Sequence, residues 1–163
     1  MYANILLSTD GSDLARKGVK HGMDLAKALN ARVTVITVTE PLVLDYTRGQ
    51  QPLGWTPLPG FESGHAAEWT PEIVDRFVVA SGEHASTVLG EARALAEQIG
   101  ISAELLHIPH AHPATAIIET AKSRGCDLIV MASHGRRGLG KLFLGSQTSE
   151  VLADGSVPVL VVR

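Results

Sequence analysis

The sequence predicts an α/β protein built on a single doubly wound, five-stranded parallel sheet with helices on both faces. Short apolar runs closed by turn residues alternate along the chain with longer stretches whose apolar residues recur every three or four positions. The short runs are apolar throughout, as strands covered on both faces are. Strict alternation of the two patterns calls for parallel strands joined by right-handed helical crossovers. The length of 163 residues suits one domain and one core.

Asn4 to Ser8 is the first strand, ended by Thr9-Asp10-Gly11-Ser12. A helix follows, with Leu14, Ala15, Val19, Met23, Leu25, Ala26 and Leu29 as its stripe. Ser12 is its N-cap, Asp13 favours the positive end of its dipole, and Asn30 ends it. Arg32 to Val38, rich in β-branched residues, is the second strand. Periodicity then stops. Residues 40–71 hold five of the eight prolines and both tryptophans, so a long loop insertion is expected over about 40–70, with Trp55 and Trp69 packing it onto the domain. Thr70-Pro71 opens a helix to about Ile99, stopped by Gly100, with Gly82 and Gly90 as weak points. Ser102 to Ile108 is the third strand, Pro113 to Arg124 the third helix, and Asp127 to Ala132 the fourth strand. A glycine-rich loop, a helix from about Ser146 to Ala153 and a fifth strand, Val157 to Val162, complete the pattern.

Composition narrows the function. Hydrophobic residues make up 45% and charged residues 19%, the balance of a folded globular protein. A net charge of −3 argues against nucleic acid and against a polybasic membrane anchor. No apolar run approaches the roughly 20 residues needed to span a bilayer. The start, Met1-Tyr2-Ala3-Asn4, has no basic leader before an apolar run, so a cytoplasmic location is expected. Cys126 is the single cysteine, which rules out an internal disulfide and makes a cysteine-based zinc site implausible; it reads as an inert packed thiol.

The chemistry concentrates after the fourth strand. Residues 131–148 read Met-Ala-Ser-His-Gly-Arg-Arg-Gly-Leu-Gly-Lys-Leu-Phe-Leu-Gly-Ser-Gln-Thr. Glycines 135, 138, 140 and 145 let backbone amides turn inward on an anion. Gly145-Ser146 opens a helix whose free amides and dipole attract phosphate. Lys122, Arg124, Arg136, Arg137 and Lys141 stand near it against Asp127 alone. The loop also follows a parallel strand, at the end of the sheet where doubly wound folds bind ligands. Gly135 to Lys141 imitates a P-loop, but Leu142 stands where a magnesium-binding hydroxyl should be.

These segments resemble the universal stress protein family over nearly the whole chain. Ile5-Leu6-Leu7-Ser8-Thr9-Asp10-Gly11-Ser12 is similar to the family's first strand and Asp-containing turn, and Val157 to Val162 to its closing strand. The family's nucleotide signature, G-x2-G-x9-G-(S/T), is matched in spacing by Ala132, Gly135 and Gly145-Ser146, with Ala132 in place of the first glycine. The resemblance implies strand order 3-2-1-4-5, which sets the first and fourth strands side by side and brings Asp10 to Gly135. It implies an adenine nucleotide as ligand: ATP, or AMP or ADP, with Mg as an optional companion. Thr9 and Asp10 would meet the adenosine and Val38 the base. Met131, Ala132, Ser133, His134 and Gly135 would wrap ribose and phosphates, with Arg136 at hand. Gly145, Ser146, Gln147 and Thr148 would hold the phosphates. It further implies a homodimer paired through Val157 to Val162, whose apolar edge needs cover.

Plainer readings stand beside these. Asp10 also suits a turn or cap, Arg136 and Arg137 a solvated loop face, and Met131 core lining. His107, His110 and His112 have imidazoles that suit a metal, but Pro109 and the absence of an intervening carboxylate or cysteine favour polar loop residues near the ligand crevice. The function expected is a stress-responsive nucleotide sensor or signalling module with an unidentified protein partner. The alternatives are a slow ATPase or self-phosphorylating protein, with Ser146 or Thr148 as acceptor, and an interaction module of the same fold without nucleotide.

Overall fold

The computed structural model describes residues 1–42, 44–45, 51–52, 70–133 and 144–163. Its elements are β1 Asn4–Ser8, α1 Asp13–Leu29, β2 Arg32–Val38, β3 Leu44–Asp45, β4 Gln51–Pro52, α2 Pro71–Ile99, β5 Ala103–Ile108, α3 Pro113–Ser123, β6 Leu128–Ala132, α4 Ser146–Asp154 and β7 Val159–Val162. Five strands form one sheet in the order β5-β2-β1-β6-β7, every pairing parallel. Counted among themselves, those strands run 3-2-1-4-5. β3 and β4 form a separate two-residue antiparallel ladder, inside the stretch expected to be plain loop. Trp55 and Trp69 lie outside the described residues.

Side-chain alternation splits the core into two layers. Ile5, Leu7, Val33, Val35, Leu128 and Val130 pack against Val19, Met23 and Ala26 of α1 and Ala92 and Ala96 of α2. Leu6, Ile36, Ile129 and Met131 pack on the other face against Ala114, Ile117 and Ala121 of α3 and Val151 of α4. Cys126 is buried in this second layer, and burial pushes its thiol pKa up, as suits an inert packed group. Close approach of α1 to β1 depends on Gly22, where an added Cβ would stand 2.3 Å from Leu7 Cδ2 in the closed core.

Local chemistry accounts for the helix ends. Ser12 Oγ accepts from the Ala15 amide at 3.2 Å. Asn30 and Gly100 close α1 and α2 in left-handed conformation, at φ of 54° and 79°. Pro71 and Pro113 sit in first turns, where the missing N–H costs nothing. Thr70 is the N-cap residue of α2 by backbone, but its hydroxyl makes no cap bond.

Three strands, β5, β6 and β7, start later than expected, β5 at Ala103 in place of Ser102. β7 starts at Val159; before it, the Pro158 carbonyl accepts from the Ile129 amide at 2.9 Å. β6 starts at Leu128, because Asp127 turns its carboxylate back to β1. The carboxylate accepts from the amides of Ala3 and Asn4 at 2.8 and 3.0 Å, while Asp127 N donates to Asn4 O at 2.9 Å. Asn4 Nδ2 adds a bond to Arg124 O at 2.7 Å. The two backbone amides hold the Asp127 pKa below its ordinary 3.8. A depressed carboxylate contributes stability above its unfolded pKa and loses it as pH falls through the folded value. Asp127→Asn is therefore expected to lower stability at neutral pH and to flatten the loss as pH falls through the carboxylate range. Urea titrations across that range check this.

Candidate functional site

The site is built from the carboxyl ends of β1 and β6, neighbours through the register Ile5↔Leu128, Leu6↔Ile129 and Leu7↔Val130. The strand order reverses between them, since β1 connects toward β2 and β6 toward β7. A crevice opens at such a switch point because successive crossovers leave to opposite sides.

On the β1 side, the Thr9 amide continues the ladder by donating to Ile36 O at 3.0 Å. Thr9 Oγ1 accepts from the Gly11 amide at 3.2 Å and Asp10 Oδ1 from the Ser12 amide at 3.0 Å. These bonds fold the chain into a tight turn before α1. Gly11 has φ of +78°, and a Cβ there would stand 2.5 Å from Val88 Cγ2 of α2. Both the conformation and the space require glycine. His84, one helical turn before Val88, puts ring atoms 3.7 Å from the same point. Sequence reasoning missed this support, whose trace is the i, i+4 spacing of His84 and Val88 on α2.

On the β6 side, Ser133 N donates to Val162 O at 2.8 Å, and Ser133 O accepts from Gly145 N at 2.7 Å. The chain thus returns to the strand end where α4 begins. Thr148 Oγ1 donates to Ala132 O at 2.9 Å from a fully buried position. Gly145 caps α4 with no side-chain acceptor, so among the described residues no side chain caps the first-turn amides of Ser146, Gln147 and Thr148. The Gln147 side chain is turned away, its Oε1 accepting from the Ala114 amide at 2.9 Å and joining the heads of α3 and α4. Such a pair of helix N-termini is an electropositive place built from main chain.

The expected residues sort accordingly. Thr9, Asp10, Met131, Ala132, Ser133, Gly145, Ser146, Gln147 and Thr148 gather at the β1 and β6 ends. Val38 lies one strand away, half-buried against the α3–α4 layer. Met131 is 4% exposed and its side chain belongs to that layer. The hydroxyl proton of Thr148 is used within the fold, and so is the amide oxygen of Gln147. His134, Gly135 and Arg136 lie outside the described residues, as do Arg137 and Lys141, so the approach of Asp10 to Gly135 does too. Of the histidines, His107 Nε2 meets Thr39 Oγ1 at 3.0 Å, and burial, then His110, lower its pKa. His112 Nδ1 stands 3.5 Å from Glu150 Oε1. No group of three or more His, Cys, Asp or Glu is placed to hold a metal ion among the described residues.

The model of the universal stress protein family matches residues 1–163. The chain belongs to that family. A universal stress protein of Thermus aquaticus is 37% identical over 163 residues, covering 100% of both chains. Two solved structures share the fold. A universal stress protein in complex with cAMP has TM-score 0.67 at 23% identity, over 99% of this chain and 97% of that one. A universal stress protein family member from Arabidopsis thaliana with AMP bound has TM-score 0.61 at 11% identity, over 98% of this chain and 90% of that one.

The Thr148 bond is open to test. Thr148→Val keeps the shape but strands the Ala132 carbonyl without its partner. A loss of about 1–3 kcal/mol is expected, read by chemical denaturation, with Thr148→Ser retaining most of the stability.

Proposed function

We propose that this universal stress protein binds an adenine nucleotide at the carboxyl ends of β1 and β6 and works as a stress-responsive, homodimeric sensor or signalling module. The observation that carries the reading is the head of α4, held against the β6 end by the Thr148–Ala132 and Gly145–Ser133 bonds with no side-chain cap. Amides so fixed suit a phosphate, and the glycine spacing from Ala132 to Gly145-Ser146 matches the family's nucleotide signature. The ligand is ATP, or AMP or ADP in its place, with Mg as an optional companion. The cAMP and AMP carried by two solved family members support the adenine class.

In this reading Thr9 and Asp10 meet the adenosine, and Val38 lines the base. The strand end from Met131 to Ser133 receives ribose and phosphates together with His134, Gly135 and Arg136, and Ser146 and its neighbours hold the phosphates through main-chain amides. Ala132 is compatible with this arrangement. Alternation places its methyl with Leu128 and Val130 on the α1 face, where Gly18 passes close by: a Cβ added at Gly18 would stand 3.6 Å from Ala132 N. The departure from glycine is thus directed toward α1, away from the α3–α4 layer that holds Met131. Gly145→Val with Ser146→Ala is expected to weaken ATP binding by about a hundredfold or more, on the order of 3 kcal/mol, with cooperative unfolding retained. Unchanged affinity by calorimetry would remove the phosphate assignment.

The dimer is proposed from the sheet edges. β7 ends the sheet with one paired side, and its Leu160 is exposed at 37%. The opposite edge, β5, carries Glu104 in an ion pair with Arg124 and is followed by Pro109, both of which discourage strand addition. Val157 to Val162 is therefore the edge that a second copy would cover. Replacing Val159 and Val161 by Asp or Pro is expected to yield monomers by sedimentation equilibrium, and a persisting dimer would refute this pairing.

A further inference from the structure

α1 and α2 flank a cavity of about 370 Å³ that reaches Thr9 at the end of β1, on the border of the proposed nucleotide site. Beyond Thr9, its walls are Val19 of α1 and Val88, Ala92 and Leu95 of α2, and it is open to solvent. Arg16, Lys17 and Lys20 of α1 line the opening opposite Glu91 of α2. Long cationic side chains in such a place lend their methylene stems to the wall and keep their charged ends at the rim. The cavity is therefore apolar within and cationic at its mouth.

The pairing of the rim charges is uneven. Lys20 is matched by Asp24 at 2.7 Å and Arg16 by Asp13 at 2.8 Å, both within α1. One ion pair crosses the mouth, Arg16 to Glu91 at 3.0 Å, with both side chains about half exposed. Pairs that open to water hold weakly. Lys17 has no carboxylate within ion-pair distance among the described residues. An anionic group arriving at the rim would meet Lys17 directly and compete with Glu91 for Arg16. The volume lies near the lower end of the small-molecule range and is too small for a partner helix.

We propose that this cavity binds a small amphipathic monoanion, a medium-chain alkyl carboxylate, with its tail against Val19, Val88, Ala92 and Leu95 and its head at Lys17 and Arg16. Calorimetric titration of the full chain with decanoate, and with decanol as the uncharged comparison, tests it. Saturable one-to-one binding of decanoate, with decanol weaker, is expected. Lys17→Glu, an exposed substitution, should weaken decanoate roughly tenfold while leaving decanol unchanged. Glu91→Gln, which removes the competing carboxylate, should tighten decanoate. Ala92→Phe should fill the cavity and abolish both; if that variant unfolds, the two charge variants still decide. Absence of saturable decanoate binding would overturn the proposal. So would decanol binding as tightly as decanoate, or decanoate binding that is indifferent to Lys17→Glu.

Discussion

The parallel pairing of β1 with β6 is the constraint on which the rest of the molecule depends. It joins the first strand to the second-last strand of the sheet, 123 and 124 positions apart at the Asp127 bonds. Because β1 also pairs with β2, it lies between strands whose helices leave to opposite faces. Both core layers and the switch point follow from that one adjacency.

What the crevice presents is mainly backbone. Thr148, Gln147 and Met131 have side-chain roles within the fold, in a cross-link, a helix junction and the core. What they leave toward the strand ends is a set of amides whose direction is fixed by α4. Main-chain geometry of this kind depends on spacing and small residues more than on particular side chains, and Ala132 is such a small residue at the end of β6.

The alternation of strands and helices was legible because each element carries its own pattern. The continuous apolar runs of β1 and β6 announce strands covered on both sides, and Ser12, Asn30, Pro71, Gly100 and Pro113 mark helix ends by local chemistry. The strand order was legible only through the likeness to a family, since periodicity within an element says nothing about its neighbours. Bonds between distant positions were not legible at all. Asp127 reads locally as the opening of a strand, although its carboxylate serves the amides of Ala3 and Asn4. The side chains of Thr148 and Gln147 bond to Ala132 and Ala114, partners that their place beside a glycine does not announce. In each case the deciding partner lies on another element.

The Asp127 junction also bears on how the molecule is made. A chain emerging from the ribosome releases β1 and β2 early, but the other side of β1 stays bare until the segment around Asp127 has followed. Closing so long a loop has an entropic cost that only the finished central sheet repays. The nascent protein must therefore carry an open, apolar strand flank through most of its synthesis, the condition under which chains stick to one another or need a chaperone. The crevice itself is completed in the last moments of biosynthesis, when Asp127 reaches Asn4 and α4 closes behind it.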